Sequence, residues 1–235
     1  MRPSHNQSST GAILFDLDGT LVDSAPAMTR ALNEMTRRRG APAVDIASVR
    51  RWVSLGGEAM LRGALGVTAD PLSDLEEFRH ILRGQTADPA DLYPGVPGML
   101  AALKQEGYCI AVCTNKRESL SRRLLQELEL EGYFSAIAGR DTFPVAKPDP
   151  GHLTGTIRLA GGEPSRAVMV GDSDVDVRTA KAASVPVVLV SFGYAGPPVS
   201  VAPPEAVIDH FDELHGSLAS LVSSTASRRT GSHSA

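Results

Sequence analysis

The chain has 235 residues, of which 42% are apolar and 21% charged, and its formal net charge is -4. These proportions are those of a globular protein, and the length suits one large domain or one domain with a smaller insertion. Two cysteines exclude a disulfide scaffold. Binding to nucleic acid is not expected, because it needs clustered basic residues and residues 37–39 form the only compact basic run.

Neither a membrane span nor a secretory signal is predicted. No apolar run approaches the roughly 18–20 residues of a transmembrane helix, and the N-terminus is polar. We therefore expect a cytoplasmic protein without a membrane partner. Cys109 and Cys113 lie in one predicted strand, where about 3.3 Å per residue places them roughly 13 Å apart. They cannot pair with each other and are expected to be reduced.

The chain is predicted to begin and end with polar tails and to form its first strand early. Residues 1–10 and 223–235 are rich in Ser, Thr, His and Arg without periodicity, which predicts flexible tails. Ala12–Phe15 is an apolar run followed by DLDGT, which predicts a strand with carboxylates at its C-terminal end. Residues 24–91 show apolar spacings of three and four, interrupted by Gly and Pro, and this predicts an all-helical segment.

Strands and helices alternate after residue 91, as in a parallel sheet wrapped by crossover helices. The predicted strands are Tyr108–Cys113, Ala136–Ala138, Ala167–Val170, Val185–Val190 and Ala206–Ile208. The predicted helices are Val96–Gln105, one that carries Leu120, Leu124 and Leu128, Pro150–Leu159 and Val175–Ala183. We predict an α/β fold: a doubly wound, Rossmann-like parallel sheet core (residues 11–23 and 92–222) with a helical cap (residues 24–91) inserted after the first strand. Such sheets bind ligands beyond the carboxyl ends of their strands.

The end of the first strand carries two carboxylates, Asp16 and Asp18, followed by Gly19, which allows a sharp turn. Two neighbouring carboxylates repel each other unless a cation binds, and Mg²⁺ prefers one or two carboxylates with carbonyl, water and phosphate oxygens. A calcium loop does not fit, because its glycine and glutamate positions fall on Leu21 and Ala27. On these residues alone, a magnesium site and an ordinary turn both remain open.

Three further strand ends carry polar residues. Thr114 follows a predicted strand, where its hydroxyl suits either a phosphate oxygen or a simple cap, and Asn115 and Lys116 are interpreted as a turn residue and a solvated charge. Lys147 stands in AKPDP, whose prolines hold it on a stiff loop. The run GDSDVD at residues 171–176 places three carboxylates at a strand-to-helix turn, and helix capping explains only one or two of them.

Four of these segments resemble motifs of the haloacid dehalogenase superfamily, in the same order along the chain. FDLDGTLVDS at residues 15–24 resembles the first motif, TNK at 114–116 the second, KPDP at 147–150 the third and GDSDVD at 171–176 the fourth. The resemblance covers nearly the whole chain between the predicted tails. It implies a hydrolase whose first aspartate becomes an aspartyl phosphate.

The resemblance also implies a role for each matching residue. Asp16 would be the nucleophile, and Asp18 would protonate the leaving group and then deprotonate the attacking water. Mg²⁺ would be held by the carboxylates of Asp16 and Asp172 and by the backbone carbonyl of Asp18. The other implied residues are Thr114, Asn115 and Lys147, which would bind the phosphoryl group, and Ser173 and Asp176, which would support the metal site, while Asp174 is expected to be solvated.

The helical segment is where the resemblance points to a substrate. Residues 49–66 resemble the cap region of bacterial phosphoglycolate phosphatases, which implies 2-phosphoglycolate as substrate. Because residues 54–55 depart from the usual cap stretch, a sugar phosphate such as N-acetylmuramic acid 6-phosphate, a nucleotide or pyrophosphate also stays open. The candidate specificity residues are Gly56 and Gly57, which allow close backbone approach, and Arg51 and Arg62, which either meet the glycolate carboxylate or are surface arginines.

A signalling receiver domain is the alternative from another class, because it is also doubly wound and phosphorylated on aspartate. A receiver carries its phospho-acceptor at a later strand end and needs no helical insertion, so the order of the motifs favours the enzyme. We expect a small phosphorylated metabolite as partner, Mg²⁺ as cofactor, and a monomer or homodimer.

Overall fold

The computed structural model describes residues 11–53, 57–66, 70–194 and 202–221. Its strands are β1 (Ala12–Phe15), β2 (Cys109–Cys113), β3 (Ala136–Ala138), β4 (Ala167–Gly171), β5 (Val187–Val190) and β6 (Ala206–Ile208). Its α-helices are α1 (Ala25–Arg38), α2 (Ile46–Val53), α3 (Gly57–Leu65), α4 (Pro71–Arg83), α5 (Val96–Gln105), α6 (Glu118–Glu127), α7 (Pro150–Leu159) and α8 (Asp174–Ala182). Short 3₁₀ turns span Pro89–Asp91, Glu131–Tyr133, Pro164–Arg166 and Phe211–Glu213. The predicted tails, residues 1–10 and 223–235, lie outside the described residues.

The strands form one parallel sheet in the order β3-β2-β1-β4-β5-β6. β1 lies between β2 and β4, with Phe15 in register with Val112 on one side and Val170 on the other. This is a doubly wound order, which reverses direction beside the first strand and opens a crevice at the carboxyl ends of the strands. The predicted α/β fold class is confirmed.

The central strands are buried on both faces, which is why they appear in the sequence as continuous apolar runs. Successive side chains of β1 point to opposite faces of the sheet. Ile13 and Phe15 pack in one apolar cluster, and Ala12 and Leu14 pack in the other. With β1 fixed from both faces, the next residue, Asp16, leaves the sheet at its carboxyl edge.

Two strands start later in the structure than the sequence predicted. β2 starts at Cys109, one residue later than predicted, and β5 starts at Val187 rather than Val185. Pro186 has no N–H to donate to the sheet. The N–H of Val185 instead donates to the Ala180 carbonyl at 2.9 Å, where it closes the end of α8.

Helices α1–α4 lie between β1 and β2 and form what we call the helical insert. They pack around an apolar cluster of their own, which includes Met28, Leu61 and Phe78. Arg39, just after α1, ion-pairs with Asp74 of α4 at 2.6 Å, so the first and last helices are also joined by charge.

The chain enters and leaves the helical insert at adjacent points. The N–H of Asp23 donates to the Asp91 carbonyl at 2.7 Å, and the N–H of Tyr93 donates to the Leu21 carbonyl at 3.2 Å. Each bond has one partner, Asp23 or Leu21, that lies close in sequence to the carboxyl end of β1, so the insert is anchored beside the crevice of the sheet.

Among the described helices, none is long and apolar enough to cross a membrane. Both cysteines are free thiols, as predicted.

Candidate active site

Asp16 is the first residue after β1, and its carboxylate lies at the carboxyl edge of the sheet. Its Oδ1 accepts the Leu17 backbone N–H at 2.7 Å, and its Oδ2 lies 3.0 Å from Lys147 Nζ. Burial raises the pKa of Asp16 to about 6, against the lowering effect of Lys147 and with a further rise from Asp176. The charge of this carboxylate therefore depends on its lysine neighbour.

Lys147 is the buried cation of the site, with 1% of its side chain exposed. Its Nζ lies 2.6 Å from Asp176 Oδ1 in addition to its contact with Asp16. Burial alone would lower the pKa of Lys147, but these two carboxylates raise it well above its usual range. The side-chain amide of Asn115 donates to the Lys147 carbonyl at 3.0 Å and holds the loop in place.

The N-terminus of α8 is closed by reciprocal hydrogen bonds between Ser173 and Asp176. Ser173 donates to Asp176 Oδ2 from its hydroxyl (2.6 Å) and its backbone N–H (3.1 Å), and the Asp176 N–H donates back to Ser173 Oγ at 3.4 Å. This is a capping box. One carboxylate oxygen of Asp176 thus accepts hydrogen bonds at the helix N-terminus, and the other contacts Lys147. Asp174 lies outside this arrangement and pairs with Arg178 at 2.8 Å.

Asp172 directly follows β4, and no cationic side chain in the described part of the chain forms an ion pair with it. Its Oδ2 accepts the Tyr194 N–H at 2.8 Å, and the Thr20 hydroxyl lies 3.5 Å from its Oδ1. Burial raises the pKa of Asp172 to about 8, with further contributions from Asp176 and Asp16. These three aspartates each offer a carboxylate oxygen within 4.8 Å of the others. Because a buried carboxylate without a cation is costly, this donor set fits a hard divalent cation.

Two glycines let the backbone approach Asp172 closely. Gly19 has a φ of 84°, and a Cβ there would lie 2.5 Å from Asp172 Oδ2. A Cβ at Gly193 would lie 2.2 Å from the Asp172 Cβ. Both approaches require a residue without a side chain, and together they fix the position of the carboxylate.

Asp18 is paired with Lys116. The Lys116 Nζ lies 2.9 and 3.1 Å from the two carboxylate oxygens of Asp18, and the Ser24 hydroxyl donates to Asp18 Oδ1 at 2.5 Å. The Lys116 side chain is only 9% exposed, so its interpretation as a solvated charge is wrong. The reason lies in the sheet: β2 pairs with β1, which brings the loops after both strands together.

Thr114 lies at the end of β2 and is 2% exposed. Its N–H donates to the Ala138 carbonyl at 3.0 Å, and its Oγ1 accepts the Lys116 N–H at 3.2 Å. Thr114, Asn115 and Lys147 line the same cavity as Asp16, so the structure brings these predicted phosphate-binding residues together.

This cavity has a volume of about 150 Å³ and lies between the carboxyl edge of the sheet and the helical insert. Its charged floor is formed by Asp16, Asp18, Asp172, Lys116 and Lys147. The insert contributes mainly apolar side chains: Met28, Val53, Met60, Leu75, Phe78 and Leu82.

Of the two alternatives that the sequence left open for the arginines of the insert, the structure supports surface arginines and not contact with the substrate. Arg51 and Arg62 are exposed, and neither lines the cavity. Arg62 follows Leu61, which belongs to the buried face of α3, so the helical rotation turns Arg62 away from that face. Gly57 does line the cavity, whereas Gly56 lies outside the described residues.

Comparison with known proteins decides the family. The model of the haloacid dehalogenase-like hydrolases matches residues 13–190. The chain belongs to this family. A phosphoglycolate phosphatase of Mesorhizobium japonicum is 46% identical over 214 residues, which are 88% of this chain and 94% of that protein. A phosphoglycolate phosphatase of Caulobacter vibrioides is 38% identical over 225 residues, which are 93% of this chain and 95% of that protein.

Solved structures of haloacid dehalogenase-like proteins share the fold. A predicted phosphoglycolate phosphatase from Haemophilus somnus has a TM-score of 0.78 at 27% identity, covering 88% of this chain and 96% of that one. CbbY from Rhodobacter sphaeroides, solved in complex with phosphate, has a TM-score of 0.74 at 26% identity. The match covers 89% of this chain and 99% of that one. The family resemblance of the sequence is confirmed, and membership makes this haloacid dehalogenase-like chain a hydrolase and not a receiver domain.

Three residues around the cavity were not predicted in the positions that they occupy. Lys116 belongs to the TNK motif, but its ion pair with Asp18 was not predicted, because the two residues are distant in sequence. Tyr194 follows β5 and would have been found by inspecting that strand end as well. Arg79 interrupts the apolar spacing that Leu75 and Leu82 share, and a charge on an apolar helix face is a readable signal.

Proposed function

We propose that the chain is a Mg²⁺-dependent phosphatase that hydrolyses a small phosphate monoester, 2-phosphoglycolate, through an aspartyl-phosphate intermediate. The observation that carries the proposal is the 3.0 Å contact of Asp16 with Lys147 inside a buried cluster of carboxylates. A carboxylate nucleophile, a buried ammonium and carboxylates free to hold a cation suit phosphoryl transfer from an anionic ester. The phosphoglycolate phosphatases named above support the choice of substrate.

Charge neutralisation is the first requirement of this reaction. Phosphate monoesters hydrolyse slowly because an anionic nucleophile must approach an anionic ester, and enzymes accelerate the slowest of them by up to about 10²¹-fold. Lys147 would bind the phosphoryl oxygens beside Asp16. The Thr114 hydroxyl accepts a bond from the Lys116 N–H and so retains its own proton to donate to a phosphoryl oxygen.

The chemistry is a double displacement at phosphorus. Asp16 attacks the phosphorus as the bond to the leaving oxygen breaks, and Asp18 gives a proton to that oxygen. Asp18 then takes a proton from the water that attacks the aspartyl phosphate, which releases inorganic phosphate and restores Asp16. Lys116 and Ser24 hold the Asp18 carboxylate in the cavity between these steps.

The residues that would hold Mg²⁺ are the carboxylates of Asp16 and Asp172 and the backbone carbonyl of Asp18. Both carboxylate oxygens of Asp176 already accept hydrogen bonds, one from Lys147 and one from Ser173. Asp176 would therefore support these residues and would not itself bind the ion. When bound, the ion would neutralise charge on the transferring phosphoryl group. It would also offset the cost of burying Asp172 without a cation.

We further propose that residues 24–91 act as a cap over a core formed by residues 11–23 and 92–222. The apolar side chains of the insert face the charged floor and would exclude water from the reaction. The cavity, about 150 Å³, is smaller than the roughly 300–1,000 Å³ of pockets that take drug-sized ligands. This size favours a two-carbon ester over a nucleotide or an N-acetylated sugar phosphate.

Phosphate release in Mg²⁺ tests the proposal with a panel of 2-phosphoglycolate, sugar phosphates, nucleoside monophosphates and pyrophosphate, each repeated in excess chelator. The expected kcat/KM for 2-phosphoglycolate exceeds the others by about 100-fold, or about 2.7 kcal/mol of transition-state binding. A preference for a sugar phosphate, or a flat profile, would overturn the substrate. Absence of release from every ester would overturn the phosphatase.

A further inference from the structure

Helix α4 carries a charged residue on its buried face. Leu75, Phe78 and Leu82 follow helical spacing and line the cavity, and Arg79 lies in the same stripe. Only 11% of the Arg79 side chain is exposed. An arginine is rarely buried without full pairing, because its desolvation is costly.

The pairing of Arg79 is incomplete. Its Nη1 donates to Glu76 Oε1 at 2.5 Å, and the Glu76 side chain is 56% exposed. A guanidinium has five N–H donors, and no second acceptor for Arg79 is found in the described part of the chain. Arg117 also approaches the same Glu76 oxygen, at 3.9 Å. One exposed carboxylate therefore serves two arginines beside the cavity, which leaves an excess of positive charge there.

The other cations of the cavity are either engaged or exposed. Lys147 and Lys116 form ion pairs with the aspartates of the charged floor. The Arg117 side chain is 45% exposed, and Arg140 is exposed as well. Arg79 is therefore the most buried arginine that lines the cavity, and it projects from the insert and not from the sheet edge.

We propose that Arg79 is a specificity-determining residue that binds a carboxylate on the leaving group of the substrate. The inference rests on the proposed function: with the phosphoryl group at Lys147 and Thr114, the leaving group extends towards the insert. The planar guanidinium matches a carboxylate through two parallel hydrogen bonds, and the apolar neighbours of Arg79 exclude competing water. An ester without that carboxylate leaves the guanidinium donors unsatisfied.

The test compares 2-phosphoglycolate with 2-hydroxyethyl phosphate, which replaces the carboxylate by a neutral alcohol on the same two-carbon skeleton. Arg79→Gln is expected to lower the ratio of the two kcat/KM values by about 10- to 100-fold, the range for a charged hydrogen bond. The fall is expected in the kcat/KM for 2-phosphoglycolate, because 2-hydroxyethyl phosphate has no carboxylate for Arg79 to bind. Cooperative thermal unfolding of Arg79→Gln checks that the variant is folded. Arg79→Lys keeps the positive charge but cannot form two parallel hydrogen bonds, so its ratio of kcat/KM values should lie between those of wild type and Arg79→Gln.

Arg37→Gln is the matched control. Arg37 also belongs to the insert and pairs with a glutamate three positions earlier, Glu34, but its side chain is 71% exposed. This variant should keep the wild-type ratio. An unchanged ratio in Arg79→Gln, or an equal fall in Arg37→Gln, would overturn the assignment.

Failure of the proposed function is distinguishable from failure of this inference. If wild-type protein releases phosphate from neither ester, the proposed function fails. Titration calorimetry of 2-phosphoglycolate into wild type and Arg79→Gln then still tests the carboxylate contact: a Kd raised about 10-fold or more in the variant supports it, and equal Kd values overturn it. Turnover of both esters at equal rates by wild type would overturn carboxylate recognition and leave the phosphatase standing.

Discussion

A single buried lysine links the stability of the site to its chemistry at the scale of individual residues. Lys147 contacts Asp16 and Asp176, and oxygens of these two aspartates lie within 4.8 Å of each other. Without the ammonium, the largely buried carboxylate of Asp16 would face the fully buried carboxylate of Asp176. Removing one partner of a buried ion pair is strongly destabilising, because it leaves the remaining charge unsolvated.

Lys147→Met is therefore expected to lower the free energy of unfolding by about 3–5 kcal/mol at pH 8. Lys181→Met is the control: Lys181 pairs with Glu205 on the surface at 2.6 Å, and its loss should cost less than about 1 kcal/mol. Urea unfolding followed by circular dichroism measures both variants. A loss below about 1 kcal/mol in Lys147→Met would contradict this account of the site.

The destabilisation should shrink as the pH falls. The pKa of Asp16 is about 6 beside Lys147, and it rises further when the ammonium is removed. A carboxyl group whose pKa is raised in the folded state contributes stability at low pH, and this contribution is lost as the pH rises through the raised pKa. The same titration at pH 5.5 should thus show a smaller loss than at pH 8. Equal losses would contradict a change in the protonation of Asp16 between these two pH values.

At the scale of secondary structure elements, Tyr194 joins the sheet edge to the helical insert. Its backbone N–H donates to Asp172, while its hydroxyl donates to Asp23 Oδ1 (3.1 Å) and accepts the Ala25 N–H (3.0 Å). Arg50 of α2 forms an ion pair with the same Asp23 at 2.5 Å. The loop after β5 therefore holds the entry of the insert against the carboxyl edge of the sheet.

Tyr194→Phe should lower the free energy of unfolding by about 1–2 kcal/mol, because it removes a partly buried hydroxyl and leaves the hydrogen-bond partners of that hydroxyl unsatisfied. Tyr133→Phe is the matched control. The Tyr133 ring lies 5.5 Å from Lys104 Nζ, a contact that phenylalanine keeps, and its hydroxyl has no hydrogen bond within the described residues. Its effect should stay within about 0.5 kcal/mol in the same urea titration. Equal effects in both variants would contradict the bridging role of Tyr194.

Elements with clear boundaries were predictable from the sequence. Ala12–Phe15, Ala136–Ala138 and Pro150–Leu159 have the predicted bounds, because glycine, proline or polar residues flank each of them. The start of β5 was not predictable in this way. Val185 closes a helix and Val187 begins a strand, yet both are buried valines, and only the hydrogen bonds distinguish them.

At the scale of the whole molecule, the topology determines which predicted residues meet. β1 lies between β2 and β4 in a parallel sheet, so Asp16, Thr114 and Asp172 lie at one edge, as the sequence predicted. The partner of Lys116 and the direction of Arg79 were not predictable, since both depend on how distant segments pack. The sequence thus predicted the residues of the charged floor well, and those contributed by the insert poorly.

Attack of Asp16 on phosphorus is tested by rapid acid quench in Mg²⁺ with 2-phosphoglycolate that is radiolabelled in its phosphoryl group. Wild-type protein should carry a transient label that hydroxylamine removes, as expected of an acyl phosphate. Asp16→Asn should show neither label nor phosphate release while its thermal unfolding remains cooperative. Label or turnover that persists in Asp16→Asn would show that Asp16 is not the nucleophile.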